Sequence, residues 1–153
     1  MISAMRITIL IFLIMLSSCG YKPIFSSNKS NFAITEIKFV GEKNIATKIN
    51  NNLNIYNDTE GKSIFYNLEI NANREKNILT RDTKGNPKIF EIKILIELVI
   101  FENNEIKSEK EIEKNFTYNN NSNKFDLKQY EKSIENNLIS EIISEIILHL
   151  HST

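Results

Sequence analysis

The sequence IFEIKILIELVIF, residues 89–101, decides the fold of this 153-residue chain. Every second residue in its middle part is apolar, and this period of two is typical of a β-strand with one face in a hydrophobic core. Leu95, Val99 and Phe101 make the opposite face partly apolar as well. We therefore expect a strand whose second face must also be covered.

Two further strands are predicted on either side of this segment. Residues 64–72 alternate between apolar and polar side chains, so one face of that strand is buried and the other is wet. Residues 81–87 are polar and contain Gly and Pro, which marks a turn. Asn103 and Asn104 indicate a hairpin turn into a fourth strand over residues 106–118, where alternating charges predict a solvated surface.

The chain before these strands predicts a strand followed by a helix. Residues 32–40 are rich in apolar and β-branched side chains, and their broken alternation indicates a bulge before Gly41 ends the strand. Apolar residues then recur at intervals of three and four, which predicts a helix over residues 44–56. These residues are Ile45, Ile49, Leu53 and Tyr56.

The end of the chain predicts a long amphipathic helix. We expect it to begin at Asp126, which can cap the first free amides, with Gln129 completing a capping box. The element order predicts an α+β fold, with a mixed four-stranded sheet and two helices on one face, in the order β-α-β-β-β-α. The other sheet face is left for a partner. The apolar stripe of the last helix comprises Tyr130, Ile134, Leu138, Ile142, Ile146 and Leu150, widened by Ile139, Ile143 and Ile147.

The first residues resemble an export signal. Residues 1–18 contain a charged start and an apolar run too short to span a membrane, and they end in two small residues before Cys19. Leu16-Ser-Ser-Cys19 matches the lipoprotein pattern, so we expect cleavage and a lipid on Cys19, as a diacylglycerol and an N-acyl (palmitate) chain. Gly20 then favours the outer membrane, because an Asp there would mark retention in the inner one. Residues 19–31 form a lipidated tether and linker, and residues 32–153 form a single domain.

Composition and motifs argue against several functions. The chain has 19 basic and 19 acidic residues, a balance that is not typical of nucleic-acid binders. His149 and His151 are two residues apart on a helix, hence on different faces, which does not favour a metal site. No phosphate loop or nucleophile motif is present, so we expect neither an enzyme nor a bound cofactor or metal.

The residues after the expected cleavage site resemble a known family. Cys19-Gly-Tyr-Lys-Pro-Ile-Phe25 is similar to the Cys-Gly-aromatic-basic-Pro-aliphatic-aromatic start of the lipopolysaccharide-assembly lipoprotein family LptE (RlpB). The resemblance implies an outer-membrane lipoprotein, lipid-anchored on the periplasmic side. It also implies that the protein plugs and stabilises an LptD-like β-barrel and assists lipopolysaccharide insertion at the cell surface.

The resemblance also implies lipopolysaccharide-binding residues. Basic residues at the tip between the second and third strands, and just before the last helix, carry this role in the family, and the matching positions are Arg81 and Lys124. Lys84 is a neighbouring candidate. The alternative for these residues is that they are ordinary loop charges. The alternative function is a small envelope lipoprotein that binds a periplasmic protein or a cell-wall complex.

Overall fold

The computed structural model describes residues 30–153, and a mixed sheet of four strands organises them. The strands hydrogen-bond in the order β1-β2-β3-β4, which is also their order along the chain. The predicted order β-α-β-β-β-α is confirmed. The elements are β1 (Phe32–Gly41), α1 (Lys43–Leu53) with a 3₁₀ turn (Asn54–Tyr56), β2 (Ile64–Arg81), β3 (Pro87–Glu102), β4 (Glu105–Asn119) and α2 (Lys124–Ser152).

The first strand departs from regular pairing where its sequence predicted a bulge. β1 lies parallel to β2, and the register shifts between Ile34 and Glu36. Gly41 ends β1 with φ +94°, a conformation that favours glycine. A Cβ at this position would overlap the carbonyl oxygen of Ala72, which also accepts a hydrogen bond from the Glu42 amide at 3.0 Å. Close approach of the two strands therefore fixes where β1 turns into α1.

One face of the sheet carries the core, and both helices pack on it. The predicted stripe of the first helix, from Ile45 to Tyr56, is buried, and so are the alternating apolar residues of β2 and β3. Every predicted position of the α2 stripe is buried except Tyr130, which is 49% exposed. Leu127 is buried in the first turns of α2, while Tyr130 lies edge-on to the Tyr118 ring.

The helix α2 begins two residues earlier than predicted, because a different side chain caps it. The side-chain oxygen of Asn123 accepts hydrogen bonds from the amides of Phe125 and Asp126 at 3.1 and 3.3 Å. The Asn123 side-chain amide donates to the Asp126 carboxylate at 2.7 Å. The expected cap at Asp126 is therefore wrong. Asp126 is the third helical residue and supports a cap that lies three residues before it.

The hairpin of β2 and β3 is longer than the alternation of its apolar residues predicted. The β2 strand continues to Arg81, whereas β1 pairs with it only as far as Ala72. Residues 73–81 therefore have β3 as their only strand neighbour among the residues described. The sequence did not predict this extension, because the polar residues Arg74 and Lys76 interrupt the apolar alternation. Both side chains turn toward α2 and form ion pairs there.

Several predictions concern residues before residue 30. The export signal over residues 1–18, Cys19 and its lipid lie outside the described residues, and so does most of the tether over residues 19–31. Within residues 30–153, neither helix is both long enough and apolar enough to span a membrane.

Candidate functional site

The hairpin turn between β2 and β3 has a well-defined shape. The Asp82 carboxylate accepts hydrogen bonds from the amides of Lys84 and Asn86 at 2.9 and 2.8 Å. The hydrogen bonds from the side chain and the backbone of Asn86 hold the pKa of Asp82 below its usual value. Gly85 closes the turn with φ +83°. The turn therefore presents its side chains from a fixed backbone.

Each basic residue predicted to contact lipopolysaccharide lies at this end of the molecule. Arg81 ends β2, and its guanidinium donates to the carbonyl oxygen of Gly85 at 2.9 Å. Lys84 is exposed in the turn. Lys124 begins α2, and its Nζ donates to the side chain of Asn120 at 3.1 Å and to the carbonyl of Asn121 at 3.2 Å.

Asn120 joins the start of α2 to the hairpin. Its backbone amide donates to the carbonyl of Lys88 at 2.9 Å, and its side-chain amide donates to the carbonyl of Pro87 at 2.7 Å. Pro87 lies opposite Arg81 in the β2–β3 ladder. One asparagine thus connects Lys124 to the strand pair that carries Arg81. We call this region the tip, meaning residues 78–88 together with residues 120–125.

The tip also exposes apolar side chains that the sequence analysis did not single out. Ile78 and Leu79 are 41% and 49% exposed, and Phe125 at the start of α2 is 69% exposed. The register shifts after Ile78, which indicates a bulge beside these residues. Two adjacent aliphatic residues in an otherwise polar stretch were the signal available in the sequence. The tip therefore combines cations with exposed apolar surface.

A network of charged side chains joins the strands next to the tip to α2. Lys76 donates to Glu131 at 2.6 Å, and the Tyr118 hydroxyl donates to the same carboxylate at 2.8 Å. Burial raises the pKa of Glu131, but these two hydrogen bonds, together with the charges of Lys76 and Arg74, hold the pKa below its usual value. Arg74 pairs with Glu135 at 2.9 Å. These contacts fix the projecting hairpin against α2.

The sheet face away from the helices is open and acidic. Leu95, Val99 and Phe101 are half-buried on it, and no helix of residues 30–153 covers them. The carboxylates outnumber the amines, and Glu97 lies directly opposite Glu111. Among residues 30–153, the strand registers place two cations on this face, Lys38 and Lys93, against Glu36, Glu69, Glu75, Glu91, Glu97, Glu109, Glu111 and Glu113.

The two histidines contact different parts of the protein. His149 Nε2 lies 2.8 Å from the Ser108 hydroxyl of β4, whereas the His151 ring packs edge-on to Phe32 at 5.1 Å. Burial, together with the nearby Lys110 charge, lowers the pKa of His149. No group of three potential metal ligands occurs within residues 30–153.

Comparisons with known proteins identify the fold. The structure superimposes on a minor lipoprotein from Acinetobacter baumannii with a TM-score of 0.60 at 10% identity, covering 78% of this chain and 90% of the other. It superimposes on lipoprotein B from Nitrosomonas europaea with a TM-score of 0.58 at 13% identity, and the match covers 87% of this chain and 91% of the other. It superimposes on rare lipoprotein B from Shewanella oneidensis with a TM-score of 0.50 at 14% identity, and the match covers 75% of this chain and 89% of the other.

No family model and no curated protein sequence matches this chain. The structural likeness nevertheless establishes that the chain has the fold of these lipoproteins. The α+β fold expected from the sequence is therefore the fold that these lipoproteins share.

Proposed function

We propose that this protein is a non-enzymatic, lipid-anchored outer-membrane lipoprotein that plugs and stabilises an LptD-like β-barrel and assists lipopolysaccharide insertion at the cell surface. The observation that carries the proposal is the tip, which gathers Arg81, Lys84 and Lys124 beside exposed apolar side chains. The lipoprotein fold and the lipidation motif at Cys19 add support.

The chemistry of the tip suits lipopolysaccharide. Lipid A carries phosphates next to acyl chains, so a protein that binds it needs cations close to apolar surface. A guanidinium and two ammonium groups pair with phosphate oxygens. Ile78, Leu79 and Phe125 lie in the same region and offer carbon surface to acyl chains. The fixed turn also keeps the ordering cost of binding low.

The open sheet face suits the barrel. Its half-buried strip of Leu95, Val99 and Phe101 offers the apolar surface that a protein contact needs. Its surrounding glutamates would repel an anionic lipid, so this face is the wrong one for lipopolysaccharide. We therefore assign the tip to the lipid and the open face to the barrel wall. The acyl chains on Cys19 hold the protein on the periplasmic side of the outer membrane.

Co-purification tests the barrel partner. The tagged lipoprotein, extracted from outer membranes in a mild detergent, is expected to bring down a large β-barrel protein at a one-to-one ratio, identified by mass spectrometry. Depleting the lipoprotein should also lower the level of that barrel. Recovery with a soluble periplasmic protein or a cell-wall complex would instead establish the alternative, a small envelope lipoprotein without a role in lipopolysaccharide assembly.

Charge reversal tests the tip. The double variant Arg81→Glu/Lys124→Glu should bind lipopolysaccharide about tenfold more weakly or worse, because each change replaces an attraction to phosphate with a repulsion. Lys38→Glu/Lys107→Glu is the matched control, with the same change in net charge away from the tip. Equal binding by both variants and the wild type would remove Arg81 and Lys124 from the site.

A further inference from the structure

A groove of about 800 Å³ lies between the first turns of the two helices. It forms because α1 begins beside Ala72, whereas α2 continues over the projecting hairpin. Neither Arg81, Lys84 nor Lys124 lines it, and Phe125 is the residue that the groove shares with the tip. The residues that line the groove include Lys48, Arg74, Phe125, Lys128, Gln129 and Lys132.

The carboxylates in this groove already have cationic partners. Glu135 is paired with Arg74 at 2.9 Å and with Lys48 at 3.7 Å. Glu131 is paired with Lys76 at 2.6 Å and accepts a hydrogen bond from a tyrosine hydroxyl. These two acids therefore have three cations close to them. Any further cation in the groove adds positive charge that no carboxylate there neutralises.

Lys128 and Lys132 supply that additional charge. They are four residues apart, so their side chains project from the same face of α2 into the same groove. Both are exposed, and neither forms an ion pair with any of residues 30–153. Like charges at this spacing destabilise a helix slightly. The pair differs in this from Lys110 and Lys114, which are also four apart but share Glu145.

We propose that the groove binds a phosphate group, free or on a lipid headgroup, between Lys128 and Lys132. The Gln129 side chain lies between them in sequence and offers an additional donor, and Phe125 gives the ligand a carbon surface at the outer end. Lys48 and Arg74 hold the inner wall positive. The inference goes beyond the proposed function, because it requires neither the barrel nor the basic residues of the tip.

Calorimetric titration of the full chain in a neutral detergent, at constant ionic strength, tests the proposal. One arm uses inorganic pyrophosphate, and the other uses phosphatidic acid in mixed micelles with phosphatidylcholine micelles as the blank. Lys128→Gln/Lys132→Gln should weaken binding about tenfold or more. Lys38→Gln/Lys107→Gln has the same change in net charge and should bind like the wild type.

Each outcome is decisive. Pyrophosphate binding that the groove variant loses supports a site for the phosphate group itself. Binding of phosphatidic acid alone, with the same loss, supports a site for a phosphorylated lipid headgroup. Lys128→Arg/Lys132→Arg should retain either activity, which separates a loss of charge from a loss of folding. Absence of binding in both arms, binding that Lys128→Gln/Lys132→Gln keeps, or an equal loss in Lys38→Gln/Lys107→Gln, would overturn the proposal without affecting the test of the tip.

Discussion

Replacing Glu111 with lysine should stabilise the isolated domain. Glu111 lies opposite Glu97 on the open sheet face, and Glu109 and Glu113 flank it two residues away on the same strand. Side chains directly opposite each other in an antiparallel pair have Cβ atoms about 5 Å apart, and like charges there are destabilising. The variant Glu111→Lys converts these repulsions into attractions.

The expected gain follows from the charges and their separation. Two unit charges about 5 Å apart interact by about 0.8 kcal/mol in bulk water. Salt at physiological strength, with a Debye length of about 8 Å, roughly halves this. Reversing one sign removes the repulsion and adds an attraction of similar size, so we expect a gain of about 0.5–1 kcal/mol. For a domain of this length, that corresponds to a rise in Tm of about 2–4 °C.

The assay is urea and thermal unfolding followed by circular dichroism, on a chain expressed without the expected export signal. Glu60→Lys is the matched control, since it makes the same change in net charge in the exposed loop before β2. The gain should shrink as salt is raised. A Glu111→Lys midpoint at or below the wild type, or an equal rise in the control, would refute cross-strand repulsion as the cause.

Three further predictions follow from local contacts. Gly41→Ala should lower the free energy of unfolding by about 2 kcal/mol or more, because of its positive φ and the overlap with a carbonyl oxygen. Gly61→Ala, which has positive φ but open space around it, should lower it less, and urea unfolding measures both. Asn123→Ala should cost about 1 kcal/mol in urea unfolding, and more than Asp126→Ala; the reverse order would contradict the cap. The lowered pKa of His149 means that the unfolded chain binds the proton more readily, so stability should fall as pH drops below about 6.5; His149→Gln should flatten that slope, and an unchanged slope would exclude His149 as its source.

The sequence predicted the elements wherever side-chain period alone determined them. The alternation over residues 64–72 and 89–101 located two strands of the core. The broken alternation of β1 indicated a bulge, which the structure places between Ile34 and Glu36. Asn103 and Asn104 both have positive φ, as their hairpin turn requires. These features depend on neighbours in the chain or on one buried face, which a single sequence displays directly.

The errors occurred where a tertiary contact determined the outcome. The second half of β2 is held by Arg74 and Lys76 against carboxylates of α2, some sixty residues later, and no local pattern reveals that pairing. The cap of α2 was assigned to the wrong residue because Asn123 and Asp126 both suit that position, and only the backbone distinguishes them. The cationic tip residues were located through the family resemblance, whereas the exposed aliphatic pair beside them was not.

The alternation of side chains along a strand also places acidic and basic residues on opposite faces of the sheet. The net charge of the whole chain does not reveal this separation. In β4, the glutamates at 109, 111 and 113 fall on one face, while Lys110 and Lys114 fall on the other and reach Glu145 of α2 at 3.1 and 2.8 Å. The run predicted as a solvated charged strand is therefore half acidic surface and half a connection between sheet and helix. We therefore expect the open face to repel an anionic ligand and the tip to attract one, although the whole chain carries no net charge. Net charge says little about the ligands of such a sheet protein, since each strand face has a charge of its own.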